Sequence, residues 1–147
     1  MRSLLVFVLA ITVFGSCQSK PEEGIPVVNL SALAAIPLDK PIDTLAKGVS
    51  FIDVQLPKGA RIEELSKNDL ALVKAAAYRF FGKVKLVGNQ YVTELKDGKE
   101  IHVADNIVSS YLKAIQDTNT FVDSLKSKGE EIRLPEITNE YRNTLLK

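Results

Sequence analysis

The sequence predicts an α+β domain, a small antiparallel sheet packed by two main helices and a short C-terminal helix. Two apolar stripes recur at helical spacing, over residues 66–81 and 105–128. Between them, residues 83–104 alternate apolar and polar side chains around turn residues, the pattern of a three-stranded meander. Upstream, residues 25–30 and 49–56 are rich in Val and Ile and read as one or two N-terminal strands.

Ile25-Pro26-Val27-Val28-Asn29-Leu30 reads as a short strand or an extended docking segment. Residues 31–48 hold Pro37, Pro41 and Gly48 and read as irregular. In the strand over 49–56, Val49 and Phe51 share one face and Ile52 and Val54 the other; Pro57-Lys58-Gly59 ends it. Ser66 is placed to cap the first long helix, with Asp69 at N3 and Leu65 and Leu70 at the staple positions. Its stripe is Leu70, Val73, Ala77, Phe80 and Phe81, and Gly82 follows as the C′ residue.

The meander then reads as strands 83–87, 90–96 and 99–104, joined at Gly88-Asn89 and at Asp97-Gly98, the latter a strong hairpin signal. Asp105 caps the second helix, which runs to about Lys128 and stops at Gly129. Its stripe is Val108, Tyr111, Leu112, Ile115, Val122 and Leu125, broken by Thr118 and Asn119. Ile137, Tyr141 and Leu145, spaced by four after Pro135, predict the short last helix.

The chain has 147 residues, 46% of them hydrophobic and 25% charged, values of an ordinary folded domain. One α+β domain over 25–147 accommodates everything after the N-terminal segment. Lys and Arg number 19 against 18 Asp and Glu, a balance that argues against nucleic acid as a partner. One Cys and one His exclude an internal disulfide and a Cys/His zinc centre; neither a metal nor a cofactor is expected.

The N-terminus is an address. Arg2 supplies a positive charge, Leu4 to Phe14 are uncharged, and Gly15-Ser16 precede the single Cys17. This is the layout of a secretory signal over residues 1–16. Eleven helical residues would span about 16 Å, roughly half a bilayer core, so a membrane-spanning helix fits poorly. Phe14-Gly15-Ser16-Cys17 resembles a lipobox, the cleavage site of bacterial lipoproteins. The resemblance implies lipid transfer to the Cys17 thiol and cleavage before it, although Phe14 and Ser16 depart from the strictest pattern. Cys is required there because its thiolate is the nucleophile.

Residues 17–24 then form a lipidated tether, polar and acidic at Glu22-Glu23. Gln18 stands where an Asp would resemble an inner-membrane retention signal, which favours export to the outer membrane. Cleavage removes Arg2 and leaves equal numbers of acidic and basic side chains, so the acyl chains alone would hold the domain to the membrane. The opening over 25–30 is similar to that of six-bladed propeller lipoproteins, but no repeat of blade length follows.

Few residues carry chemistry by their pattern. His102 sits between Ile101 and Val103 and would point from the opposite face beside Glu100, as a base or as an ordinary strand residue. Tyr111, Thr118 and Asn119 would line a pocket if the polar break opens one, and are structural if buried and satisfied. Ser110 to Lys113 match S-x-x-K without the companion motifs of penicillin-recognising enzymes. Lys83, Lys85, Lys96 and Lys99 read as edge protection or as an anion patch. Asp43-Thr44-Leu45 and Asp123-Ser124-Leu125 resemble an O-glycosylation tripeptide of some Gram-negative envelopes.

The expectation is a small envelope lipoprotein in a binding or accessory role, with the membrane and an envelope protein as partners. The alternatives are a hydrolase without a recognisable motif and an inhibitor or chaperone of a partner protein. No catalytic residue is assigned.

Overall fold

The computed structural model describes residues 30–56 and 61–147. Five α-helices are described: α1 (Leu30–Ala35), α2 (Asp43–Lys47), α3 (Lys67–Phe81), α4 (Asp105–Ser127) and α5 (Asn139–Asn143). A hairpin of β1 (Val84–Val87) and β2 (Gln90–Thr93) lies between α3 and α4. Short 3-10 turns cover Ile62–Glu64, Gly98–Ile101 and Thr144–Leu146.

Helix α3 is the centre of the domain. Ser66 caps it as expected: its Oγ accepts from the Asp69 amide at 3.1 Å and donates to the Asp69 carboxylate at 2.7 Å. The stripe Leu70, Val73, Ala77, Phe80 and Phe81 is buried, and so are Ala75 and Ala76 beside it. A helix covered on so much of its circumference is an interior helix. It packs against α1, α2, α4, α5 and the closing 144–146 turn. Phe80, Phe81 and Tyr111 of α4 form an aromatic cluster with centroids 5.1 to 5.7 Å apart. Leu145, fully buried, brings the C-terminal segment into the same core.

The sheet differs from the expectation. It has two antiparallel strands, not a three-stranded meander with N-terminal strands added. The Gly88-Asn89 turn forms as read, with φ of 57° and 64°, as a two-residue primed turn requires. Asp97-Gly98 does not form a hairpin. Asp97 is extended at φ −145°, and its carboxylate caps the 3-10 turn by accepting from the Lys99 amide at 2.9 Å. The Gly98 amide donates to Asp105 at 2.8 Å, and Val103 donates to the Gly98 carbonyl at 2.9 Å. These bonds curl 98–103 back on itself. What remains of the third strand is one parallel bridge between Val103 and Ile52, which is also all that remains of the strand over 49–56. Of the strand read over 25–30, Leu30 begins α1 and the rest lies outside the described residues.

Gly98 is therefore required for close approach, not for turn conformation. A Cβ on it would lie 1.8 Å from the Val103 carbonyl oxygen. Gly98→Ala is expected to destabilise the domain by about 1–3 kcal/mol, because backbone must move to admit the methyl group. Urea unfolding measures this. Gly82 also departs from its expected role: its φ is −67°, and a Cβ there would meet the Arg142 guanidinium at 2.5 Å. Arg142 stacks over Tyr78, 4.7 Å from the ring centroid, and fastens α5 to α3.

Helix α4 spans the expected range, and Gly129 follows it at φ 77°. Its N-cap is Ala104, because the Asp105 carboxylate is engaged by Gly98.

Candidate functional site

The residues singled out for chemistry are held in separate places. Tyr111 is 1% exposed, and its hydroxyl donates to the Val73 carbonyl at 3.0 Å. Burial holds this phenol well above its usual pKa, so it stays a neutral donor. Thr118, two turns further along α4, donates to the Ala114 carbonyl at 2.8 Å within its own helix.

Asn119 lies across β2. Its Oδ1 accepts from the Tyr91 amide and its Nδ2 donates to the Tyr91 carbonyl, each at 2.8 Å. Tyr91 pairs with Leu86 at the position where strand hydrogen-bonding groups point away from the hairpin. The amide of Asn119 thus stands in for a neighbouring strand and closes the β2 edge. This explains the polar break in the α4 stripe. Asn119→Ala is expected to cost about 1–3 kcal/mol by leaving both groups unpaired, read as reduced hydrogen-exchange protection at Tyr91.

Asn89 repeats the device. Its Nδ2 donates to the Ile132 carbonyl at 2.7 Å, and its Oδ1 accepts from the Leu134 amide at 2.8 Å. With the Tyr91 hydroxyl on the Pro135 carbonyl at 2.8 Å, it ties residues 132–135 to the hairpin.

His102 is exposed and sits at φ 54°, an uncommon conformation for a residue with a Cβ. It ends the 98–101 turn, and its carbonyl accepts from Ile52 at 2.8 Å and from Arg79 at 3.1 Å. Its place is fixed through the main chain.

The S-x-x-K residues also part company. Ser110 donates to the Asn106 carbonyl at 2.9 Å, and Lys113 pairs with Asp117 at 3.3 Å. Of the two glycosylation-like tripeptides, Thr44 is exposed, whereas the Ser124 hydroxyl donates to the Phe121 carbonyl at 2.8 Å. Among the described residues no group of three or more His, Cys, Asp or Glu side chains is placed to hold a metal ion.

The most specialised polar side chains were not anticipated. Arg79 is 9% exposed and donates to five carbonyls: Leu45 at 2.6 Å, Ser50 at 2.8 Å, Ile101 and His102 at 3.1 Å, and Ala46 at 3.2 Å. These carbonyls come from the end of α2, the segment after it and the end of the 98–101 turn. The guanidinium stays charged, although burial lowers its pKa, and five donors in a fork meet several acceptors at once. Lys74 has no exposed surface and donates to the Ile36 carbonyl at 2.6 Å and a Lys147 main-chain oxygen at 2.8 Å. Burial lowers its pKa too. A sequence signal existed: both cations lie within the apolar run Leu70 to Phe81 of the interior helix.

The described surface holds several open clefts. One of about 370 Å³ lies between the Gly88-Asn89 turn, the end of α4 and residues 129–132, with Gln90, Asp123 and Lys126 in its lining. Gln90 donates to both Asp123 carboxylate oxygens, at 3.0 and 2.9 Å. Two more, of about 570 and 550 Å³, share Pro37, Leu38 and Lys40 in their linings. Val49 and Phe51 are 77% and 63% exposed, while Ile52 and Val54 are buried as the alternation requires. The chain matches no protein-family model, no curated protein and no solved structure.

Proposed function

We propose that the chain is a small cell-envelope lipoprotein, acylated on Cys17 and held at the outer membrane, whose folded domain binds or supports a partner. The observation that carries this reading is the placement of the single Cys directly after an uncharged run of eleven residues and Gly15-Ser16. Among the described residues no helix is long and apolar enough to cross a membrane. Tyr111, Thr118 and Asn119 are spent in main-chain hydrogen bonds and are structural, so a binding or supporting surface would be made by other residues of the domain.

Cell fractionation tests the anchor. Wild-type chain is expected in the outer-membrane fraction and Cys17→Ser in the soluble exported fraction; equal membrane retention of the two overturns the reading. Protease added to intact cells then separates a surface domain, which is digested, from one facing the periplasm.

A second reading, a module that caps a partner protein, is favoured by Val49 and Phe51. Arg79 fixes the Ser50 carbonyl, and Ile52 is bridged to Val103, so Phe51 is held outward on a fastened backbone. Phe51→Asp is expected to abolish cross-links to an envelope protein that wild type forms in cells. Identical cross-linking by the variant contradicts that reading.

A further inference from the structure

A groove of about 430 Å³ lies between the solvent face of the hairpin and the 98–101 turn. The register pairs Val84 with Thr93 and Lys85 with Val92. By the strand period, Lys83 and Glu94 come next in line, on the same face as Lys85 and Val92. Glu100 reaches the groove from the turn, and Leu95 contributes to its lining.

Lys83, Lys85, Glu94 and Glu100 are exposed, and none of their side chains has an ion pair or hydrogen bond among the described residues. Elsewhere among the described residues the chain closes some such pairs, Lys47 with Asp43 at 2.6 Å, Lys113 with Asp117 at 3.3 Å, and Lys67 with Asp39, and leaves other exposed charges, Lys99 and Glu130 among them, without one. In the groove, two ammonium groups and two carboxylates line one space and stay apart. That arrangement complements a ligand that carries both charges.

We propose that this groove binds a small zwitterion. The ligand's ammonium lies toward Glu94 and Glu100, its anionic end toward Lys83 and Lys85, and its aliphatic part against Val92 and Leu95. The proposal rests on the binding role above and is independent of the lipid anchor. The same chemistry is offered by a short peptide with free termini and by an ethanolamine phosphate headgroup.

The test is a titration of the ¹⁵N-labelled full chain, purified in a non-ionic detergent, with trialanine and separately with glycerophosphoethanolamine. Saturable shifts are expected at the amides of Lys85, Val92, Glu94 and Glu100, with an apparent Kd no tighter than about millimolar, because each exposed charge pair contributes at most about fivefold, or about 1 kcal/mol. Saturation by trialanine alone identifies a peptide ligand, and saturation by glycerophosphoethanolamine alone a headgroup. Acetylating or amidating one end of trialanine is expected to weaken binding about threefold or more where the peptide is the ligand. Lys83→Met with Lys85→Met, and Glu94→Gln with Glu100→Gln, are each expected to abolish saturation while the amide spectrum stays folded. Absence of saturation with both probes overturns the proposal. So do shifts that survive blocking of both trialanine ends, or that survive both pairs of substitutions.

Discussion

Arg79→Met is expected to destabilise the domain by about 3–5 kcal/mol, the scale for removing one side of a buried charged arrangement. Five carbonyls lose a donor at once, and they belong to main chain that cannot be substituted away. The His102 carbonyl keeps the Ile52 amide, but no other bond to the Ser50 carbonyl is described. Each buried acceptor left unpaired costs about 1–3 kcal/mol, reduced where the loosened segment reaches water. Arg79→Lys should recover only part of the loss, because one ammonium cannot span acceptors on three segments. Urea unfolding followed by circular dichroism gives the number. A loss of less than about 1 kcal/mol, the scale of one ordinary hydrogen bond, would show that Arg79 is not the clamp it appears in the geometry.

Deleting Leu145, Leu146 and Lys147 is expected to leave most of the chain unfolded at room temperature. Leu145 has no exposed surface, and Leu146 has 7%. Truncating a buried Leu costs about 2–5 kcal/mol, and two are lost here. The same deletion removes one of the two acceptors of the buried Lys74 ammonium. The sum approaches the whole stability of an ordinary domain, about 5–15 kcal/mol. Leu145→Ala serves as the graded control: a cooperative transition shifted by about 2–5 kcal/mol. A deleted chain that unfolds like the parent would place the C-terminal segment outside the core.

The two long helices and the short last one were legible in the residues, whereas α2 and all but the first residue of α1 fall in the stretch 31–48 that reads as irregular. The stripes of α3 and α4, the Ser66 cap, the Gly88-Asn89 turn and the stop at Gly129 all depend on neighbours a few positions away. The third strand was not legible. Residues 99–104 alternate, and Ile101 and Val103 are buried as alternation requires, but a 3-10 turn can bury the same residues. What decided between them was Asp105 reaching back seven positions to the Gly98 amide.

The buried cations escaped notice for a related reason. Composition reads Lys and Arg in a helix as solvated. The acceptors of Lys74 and Arg79 lie 22 to 73 positions away, and a main-chain carbonyl carries no residue signature. Asn119 was noticed as a break in a stripe, but only the position of β2 reveals its partner. Of the four residues proposed as facing a ligand, three spend a side-chain polar group on main-chain atoms and His102 contributes its carbonyl. The zwitterion groove had a faint trace in Lys83 and Lys85, whose carboxylate neighbours appear only once the register is known.

The most direct measurement is the mass of the N-terminal peptide of the protein purified from membranes and digested with protease. The expected peptide begins at Cys17 and carries the added mass of a diacylglyceryl thioether. An N-terminal peptide that begins elsewhere, or one that begins at Cys17 without lipid, would contradict the lipoprotein reading.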